Sequence, residues 1–425
     1  MSFKPNIYIK IIAAIGASPA LFVVPAYSAE LTAEPSISFR GQYDDNVRKL
    51  PDENNPVSST AYKVEPRIKF AANEQGLWDM SVNARGRLIR YQDIEDSDSD
   101  NVFFDFNAGR KTELTEWRLI TSFEQNSNFD TDYDTETPDA GLLLDDRTES
   151  ETVSIAPSFR WSFSEMSQMS LKLSNTNVTY DEVISETYKD YETNKANAVM
   201  YWLVSQNHRL GFTSVFTEYD SPDSNFSYEQ IVFQIDYTYN INQTSNISLS
   251  LGERRIDSTV SNAVIACQNP GELEFFGECL LSPEILGEVS NSDDGVVSNL
   301  SYSSVTEFSS HSFNAGRTVV PSSFGSAQEN RSVTYKYEIN NTERFTTSLL
   351  LDASKTETVS GISSENDRTR YRFEPSVIYK LTSDWSLSFK YSYLEQSITS
   401  SNLDSASNSI YINLHLHWPK LATTY

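Results

Sequence analysis

The feature that most restricts this chain is a period of two that runs through nearly its whole length. From Trp385 the residues Trp385, Leu387, Phe389, Tyr391 and Tyr393 fall on one side, with Ser386, Ser388, Lys390 and Ser392 on the other. A helix would scatter such a series around its surface, so the pattern fixes an extended strand with one apolar and one wet face. The same parity recurs in Tyr62, Val64, Pro66, Ile68 and Phe70, in Ile231, Phe233, Ile235, Tyr237 and Tyr239, and in Ile410, Ile412, Leu414, Leu416 and Trp418. Strands of soluble sandwiches run to about five or six residues, whereas these reach roughly ten to fourteen, the length a tilted strand needs to cross a bilayer.

Connections alternate between short and long. Short turns are expected near Asn73 to Gly76, Thr112 to Thr115, Ser164 to Ser167, Ser205 to His208, Asn240 to Thr244, Ser309 to Ser312, Asn340 to Glu343 and Thr382 to Asp384. Longer polar segments lie between the hairpins, at Asp44 to Thr60, Asn126 to Thr148 and Asp257 to Asp294. With a first strand near Pro35 to Tyr43 and a last near Ser409 to Trp418, the count is about eighteen, or sixteen, because Tyr188 to Val204 alternates poorly. The expected fold is all-β: a transmembrane antiparallel up-and-down β-barrel with short periplasmic turns and long extracellular loops.

Tryptophan supports this topology. Trp78, Trp117 and Trp385 follow a short turn, Trp161 and Trp202 precede one, and Trp418 ends the last strand, so all six mark a periplasmic aromatic girdle. Tyr43, Tyr91, Tyr180, Tyr219 and Tyr393 border the long loops and suggest a second girdle. A weak repeat places Pro35, Pro66, Pro157 and Pro375 inside strands. Proline cannot donate to a ladder, so each marks a bulge or a gap in pairing.

Composition removes other classes. With 33 Lys and Arg against 59 Asp and Glu the formal charge is -26, which repels phosphate backbones and excludes nucleic acid as a partner. Aromatic residues make up 12% of the chain, far more than a disordered chain carries. Lys4 and Lys10 flank the start of an apolar run from Ile11 to Val24, and small residues follow at cleavage spacing. Residues 1–28 are therefore expected to be a signal peptide, cut after Ser28 or Ala29, leaving 29–425 as one barrel domain with a long outer loop at 257–294.

The mature start, Leu31-Thr32-Ala33-Glu34-Pro35-Ser36-Ile37-Ser38-Phe39 followed by Tyr43-Asp44-Asp45-Asn46-Val47, resembles the opening of the exosortase- and exopolysaccharide-associated outer-membrane β-barrel porin family of Gram-negative bacteria. The likeness runs through the alternating strands of nearly the whole mature chain. It implies a role in exopolysaccharide production or export, and it carries over no catalytic residue.

The polar parity sets a basic wall facing the lumen: Arg40, Lys63, Arg67, Lys69, Arg85, Arg87, Arg118, Arg160, Lys172, Lys336, Arg370, Arg372, Lys380 and Lys390. Fewer acids share that parity, namely Glu65, Asp105, Glu124, Asp236, Glu338 and Glu374. Isolated ions cannot be packed dry, and about eighteen strands enclose an aqueous channel, so the expected function is a pore favouring anionic solutes or acidic sugar chains. One alternative is a lumen plugged by cross-strand ion pairs, giving a non-conducting structural or adhesive barrel that displays acidic loops. Another is an outer-membrane lipid hydrolase, although no Ser, His and acid arrangement suggests itself. Candidates for metal are weak: His415 and His417 share a strand face without a third ligand, and Asp130, Asp132 and Asp134 imitate a calcium loop in which Thr135 replaces the required glycine. No cofactor is implied. The partners of such a barrel are outer-membrane lipids and lipopolysaccharide, the barrel-assembly machinery and, through the resemblance, polysaccharide export components.

Cys267 and Cys279 lie in one polar stretch of an exported chain, which predicts a disulfide closing an outer loop. A loop of this size stabilises the ordered state by about 3 kcal/mol in the chain-entropy view. Thiol labelling of unreduced, denatured protein is expected to modify neither cysteine, and two labels per chain would rule out the bridge.

Overall fold

The computed structural model describes residues 30–424 apart from 52–54, 75, 95–97, 128–147, 182–187, 268–273, 276–277, 280–283, 324, 362–366, 400–402 and 420; within strands it leaves out the side chains at 262–267, 274–275, 278–279, 284–286, 361, 403 and 423–424. The signal-peptide segment, the acidic run around Asp130 to Asp134 and the side chains of Cys267 and Cys279 thus lie outside the described residues.

The alternating segments form strands in chain order: β1 (Glu30–Asp44), β2 (Ser59–Glu74), β3 (Trp78–Tyr91), β4 (Ser99–Lys111), β5 (Thr115–Ser127), β6 (Glu149–Ser164), β7 (Ser167–Tyr180), β8 (Tyr191–Leu203), β9 (His208–Ser221), β10 (Phe226–Asn240) and β11 (Ser245–Cys267). A small hairpin, β12 (Glu274–Phe275) and β13 (Glu278–Cys279), precedes β14 (Glu284–Val305), β15 (Ser309–Ser322), β16 (Ser326–Asn340), β17 (Phe345–Gly361), β18 (Arg368–Lys380), β19 (Trp385–Ile398), β20 (Leu403–His417) and β21 (Leu421–Thr424). Each wall strand pairs antiparallel with its neighbours in sequence, and β1 also pairs with β20 from Ser36↔His417 to Asp44↔Ser409, which closes an eighteen-stranded barrel. The short β21 replaces β20 beside the lower end of β1, pairing Glu30 to Ala33 with Thr424 to Leu421.

Parity is resolved by exposure. Phe233, Ile235, Phe389 and Ile412 point outward as exposed side chains, whereas Lys63 and Arg87 on the opposite parity are 4% and 6% exposed. A belt of apolar side chains around a closed wall of hydrogen bonds is the form that spans a bilayer, because no backbone group is left to face lipid unpaired. A strand of thirteen residues, such as β4, covers about 43 Å of path, or roughly 30 Å of bilayer at a 45° tilt.

Three of the four prolines of the repeat mark a gap rather than a bulge, and at Pro35 the partner register also shifts by one residue, from Ser36↔His417 to Ala33↔Leu421. Pairing of β2 with β3 skips from Val64↔Leu88 to Arg67↔Arg85 across Pro66 without changing register. The same happens across Pro157 between β6 and β7 and across Pro375 between β18 and β19. Pro35 stands where β1 passes from β20 to β21.

Three expectations are corrected. The turn placed at Ser309 to Ser312 is made by residues 306–308, because Thr306 bonds Ser309 through both backbone and side chain and the local Ser-rich run alternates equally well in either frame. The segment 257–294 is mostly not loop: β11 and β14 stay paired from Ser245↔Ser304 to Cys267↔Glu284, leaving 268–283 as the connection and its small hairpin. Two outer connections are also short, the single turn Pro222–Ser224 between β9 and β10 and residues 323–325 between β15 and β16.

The largest departure from a simple wall lies at the second of these. Pairing of β14 with β15 stops at Ser298↔Arg317, although both strands continue outward. Above that point β15, β16 and β17 lean into the barrel, so that side chains of lipid-facing parity pack on the inner face of β9, β10 and β11. Val319 and Ala327 bury themselves against Tyr219, Phe226, Tyr228 and Ile256. The Tyr219 hydroxyl donates to the Ser322 carbonyl at 2.8 Å, and the Ser258 and Ser360 hydroxyls lie 2.5 Å apart. Gly325 closes the tip with φ +65°, against Ser224, where a Cβ would collide.

This overlap predicts that Ser258→Cys combined with Ser360→Cys, in a chain with both native cysteines changed to Ser, oxidises spontaneously to a disulfide. In a wall without the overlap the two strands stand four spacings apart, about 19 Å, and no crosslink forms on non-reducing gels.

Candidate functional site: the lumen wall and its outer mouth

The basic residues expected on the wall share its inner face, and most meet a carboxylate. Glu65 is the hub on β2: its carboxylate accepts Arg87 Nε at 2.9 Å and lies 3.6 Å from both Lys63 Nζ and Arg85 Nη1. Arg85 and Arg87 also cover the Phe103 ring from β4, at 4.0 and 4.8 Å from its centre. Arg118 reaches Asp79 at 3.3 Å and Glu116 at 3.5 Å, and Arg160 reaches Glu116 at 2.9 Å. Lys69 stands 4.0 Å from Glu34, Arg370 3.6 Å from Asp352 and Lys390 3.6 Å from Glu374, while Arg372 is directly opposite Asp352 in register.

Neutral groups take part as well. Arg40 donates to Asn413 Oδ1 at 2.5 Å across the β1–β20 seam, and Arg67 to Asn83 Oδ1 at 2.6 Å. Lys172, Lys336 and Lys380 have no ion-pair partner among the described residues. Some wall cations were not legible in the sequence, Lys195, Arg209 and Arg254 among them. Lys195 on the poorly alternating β8 lies diagonal to Lys172, which opposes Asn197, and Arg209 covers the Tyr201 ring at 4.7 Å.

Three of the hub acids belong to the proline repeat. Glu34, Glu65 and Glu374 each precede the proline that opens the ladder, and each holds a lysine or arginine of the wall. His415 and His417 line the seam opposite Ser38 and Ser36. Among the described residues no group of His, Cys, Asp and Glu is arranged to hold a metal.

All six tryptophans sit in the short-turn third of the wall. Trp117 and Trp161 are exposed and pair with Phe159 and Phe163 at 4.3 Å between ring centres, and Trp202 meets Phe212 at 5.7 Å. Two histidines join them unforeseen: His208 and His311 hydrogen-bond the hydroxyls of Tyr237 and Tyr335 at 2.7 and 2.9 Å. The outer tyrosines divide. Tyr43 is exposed on the outer face, but Tyr91 and Tyr219 have inward parity and are buried under inward-folded chain, so they are not part of an outer girdle.

The outer mouth is bridged. Residues 45–51 and 55–58 turn into the barrel, where Val47 and Val57 pack on Ala61, Ile89, Tyr91 and Ile94. The run Tyr43 to Val47 that carries the family resemblance makes the latch. Lys49 Nζ, 1% exposed, binds Asp44 Oδ2 and Ser407 Oγ at 2.6 Å each. Asp44 also accepts the hydroxyls of Ser407 and Ser409 at 2.9 and 2.8 Å, and Asp45 receives the backbone and side-chain N–H of Asn408. Such closure lets Lys49 hold φ +54°, a region lysine otherwise avoids. From the β7–β8 connection, Tyr188 packs against the same apolar cluster, and the next residue, Lys189, donates its backbone N–H to the Ser323 carbonyl at the tip of the inward-leaning β15–β16 hairpin. Contacts therefore run unbroken across the mouth between three separated sectors of the wall.

These features define a transmembrane β-barrel with a wet, charged interior. No family profile matches the chain, and no curated protein matches it in sequence. Among solved structures it is similar to OccK2 (OpdF) of Pseudomonas aeruginosa in complex with glucuronate, with TM-score 0.47 and 10% identity over 92% of this chain and 98% of that one. It is also similar to OccK8 (OprE) of the same organism, with TM-score 0.45 and 12% identity over 92% and 98%. The open form of the ferric-catecholate import receptor Fiu of E. coli K12 gives TM-score 0.45 and 8% identity over 90% and 81%.

The latch is testable by its charge. Lys49→Met leaves Asp44 buried without its cation, a loss of about 3–5 kcal/mol where the geometry cannot relax. The expected outcome is rapid proteinase K cleavage within 45–58 while the barrel stays intact, partly reversed by adding Asp44→Asn.

Proposed function

We propose that this chain is a porin-like channel of a Gram-negative outer membrane, with a lumen that favours anionic solutes or acidic sugar chains and a place in exopolysaccharide production or export. The observation that carries the selectivity is an imbalance of partners on the wall. Lumen carboxylates are occupied: Glu65 by three cations, Glu116 by two, Glu374 by Lys390 and Ser392, and Asp236 by the hydroxyls of Thr213 and Ser250. Glu338 is the exception among the expected acids. Cations are in surplus, because Arg67 bonds the Asn83 amide and Lys172, Lys195 and Lys336 meet no carboxylate at ion-pair distance among the described residues. Unpaired positive charge in a narrow aqueous passage concentrates anions. Acidic groups at the outer rim oppose this at the entrance, but they are more exposed and more fully screened by salt.

The exopolysaccharide association rests on the resemblance of the mature start, and the periplasmic side on the short turns and tryptophans. One observation favours a second reading, a non-conducting structural or adhesive barrel: the bridge across the outer mouth. In the channel reading, that bridge is a constriction set by Lys49 and Tyr188.

In planar bilayers with a salt gradient, the reversal potential is expected to show anion preference, reduced when Arg67, Arg85 and Arg372 are changed to Ser. Tyr188→Ala is expected to enlarge the conductance step. Cation selectivity that persists after the acidic loops are neutralised would sink the anion reading, and silence of both the wild type and Tyr188→Ala would establish the structural barrel.

A further inference from the structure

Charged side chains are expensive at lipid-facing parity, yet this wall carries a row of them in one place. Arg317 on β15, Arg331 on β16 and Lys355 on β17 stand directly opposite one another in register, all on the face that carries the apolar belt. The row immediately below is Ala315, Val333 and Ala353, and below that Phe313, Tyr335 and Leu351, with Val333 and Leu351 exposed outward. The row above is Val319, Glu329 and Glu357. The three cations therefore occupy the upper border of the apolar surface, where a bilayer places its headgroups.

Like charges placed directly opposite across strands repel, so the row needs anions. Glu329, 3% exposed, supplies one: it accepts Arg317 and Arg331 at 2.8 and 2.7 Å and is shared with Arg254 at 3.0 Å. Glu357 supplies the other, 2.6 Å from Lys355 and 3.3 Å from Arg331. Arg254 spends a second nitrogen on Asp293 and keeps a buried Nε with no hydrogen-bond partner among the described residues. Four cations thus meet three carboxylates, and Arg331 and Lys355, on the parity of the apolar belt, remain 49% and 45% exposed. The place is also a notch, because the ladder between β14 and β15 ends at Ser298↔Arg317, at the foot of this row.

We propose that this notch binds the phosphate of a phosphorylated outer-leaflet lipid, with Arg331 and Lys355 as its outer contacts and Arg317 behind them. A phosphate offers several acceptors to guanidinium and ammonium donors, and its acyl chains would lie along the exposed Val333 and Leu351 below. The site does not depend on whether the lumen conducts, since its outer contacts Arg331 and Lys355 are on the parity opposite to the lumen wall of their strands.

The test uses the purified full-length barrel in phosphatidylcholine nanodiscs, loaded with diphosphorylated lipid A, dephosphorylated lipid A, or inorganic phosphate in the buffer. Diphosphorylated lipid A is expected to raise the unfolding temperature and to remain bound through purification, while the other two additions do neither. Arg331→Gln with Lys355→Gln, which leaves the buried Arg254–Glu329 pair in place, should weaken lipid A binding about tenfold, as expected for two exposed charge contacts. An equal effect of dephosphorylated lipid A would overturn the phosphate site, and an equal effect of inorganic phosphate would overturn the lipid as its source. Should the double variant not fold, the comparison of the three additions on the wild type decides alone.

Discussion

The backbone in a bilayer core has no water to bond, and every feature of this wall follows from keeping its ladder closed. Eighteen strands satisfy one another in a ring, and the register at β1–β20, with Arg40 bonded to Asn413 across it, makes the first and last strands neighbours. Where Pro66, Pro157 and Pro375 interrupt the ring the register is kept, so the cost is one local opening and not a slip that would turn apolar faces inward. The acids beside Pro66 and Pro375 are then wall hubs, and the cations on Glu65 and Glu374 tie the strands together by side chains where the backbone does not.

Closure also explains where the wall can afford to part. Inside the apolar belt β14 and β15 stay paired, and they separate only at Ser298↔Arg317, where headgroups and water can serve the freed groups. Beyond that border the outer halves of β15, β16 and β17 are released from facing lipid, and their outward side chains find cover against Tyr219, Tyr228 and Ile256. One strand therefore has lipid-facing residues below and core residues above on the same parity. Glu329 belongs to the upper set, which is why a carboxylate of lipid-facing parity can be buried among three guanidinium groups.

This change of role along a strand marks the limit of what was legible in the chain. Alternation located seven of the eight short turns and both end strands, since a one-residue error would invert every face. It misread 257–294 as loop because, above the membrane, neither face of β11 or β14 is uniformly apolar, and it missed Lys195 because β8 carries Ala196, Ala198 and Met200 without a clean polar partner set. The overlap of sheets was not foreseen, but its trace is present: Arg317, Glu329, Arg331, Lys355 and Glu357 all fall on the parity that elsewhere holds Phe, Ile and Leu. For the wall cations, parity fixed their face while their partners depended on register, which two-residue periodicity does not supply.

Barrel closure and the narrowed mouth share residues, and that sets how the mouth can change. Asp44 is the last residue of β1 and pairs with Ser409 of β20, so it belongs to the seam itself, while Lys49, five residues on, belongs to the inward loop. Ser407 touches both. Withdrawing the whole loop by breaking Asp44 from Ser407 and Ser409 would weaken the closing pair of strands, a change the ladder resists. Releasing Lys49 alone leaves the buried Asp44 charge without its cation but keeps the seam's hydrogen bonds, because Asp44 retains its two hydroxyl donors and the Asn46 backbone N–H. Any motion at the mouth is thus confined to the chain after Asn46, which must leave the Ser405 hydroxyl on the Lys49 carbonyl and the packing with Tyr188, and the seam acts as a fixed hinge post.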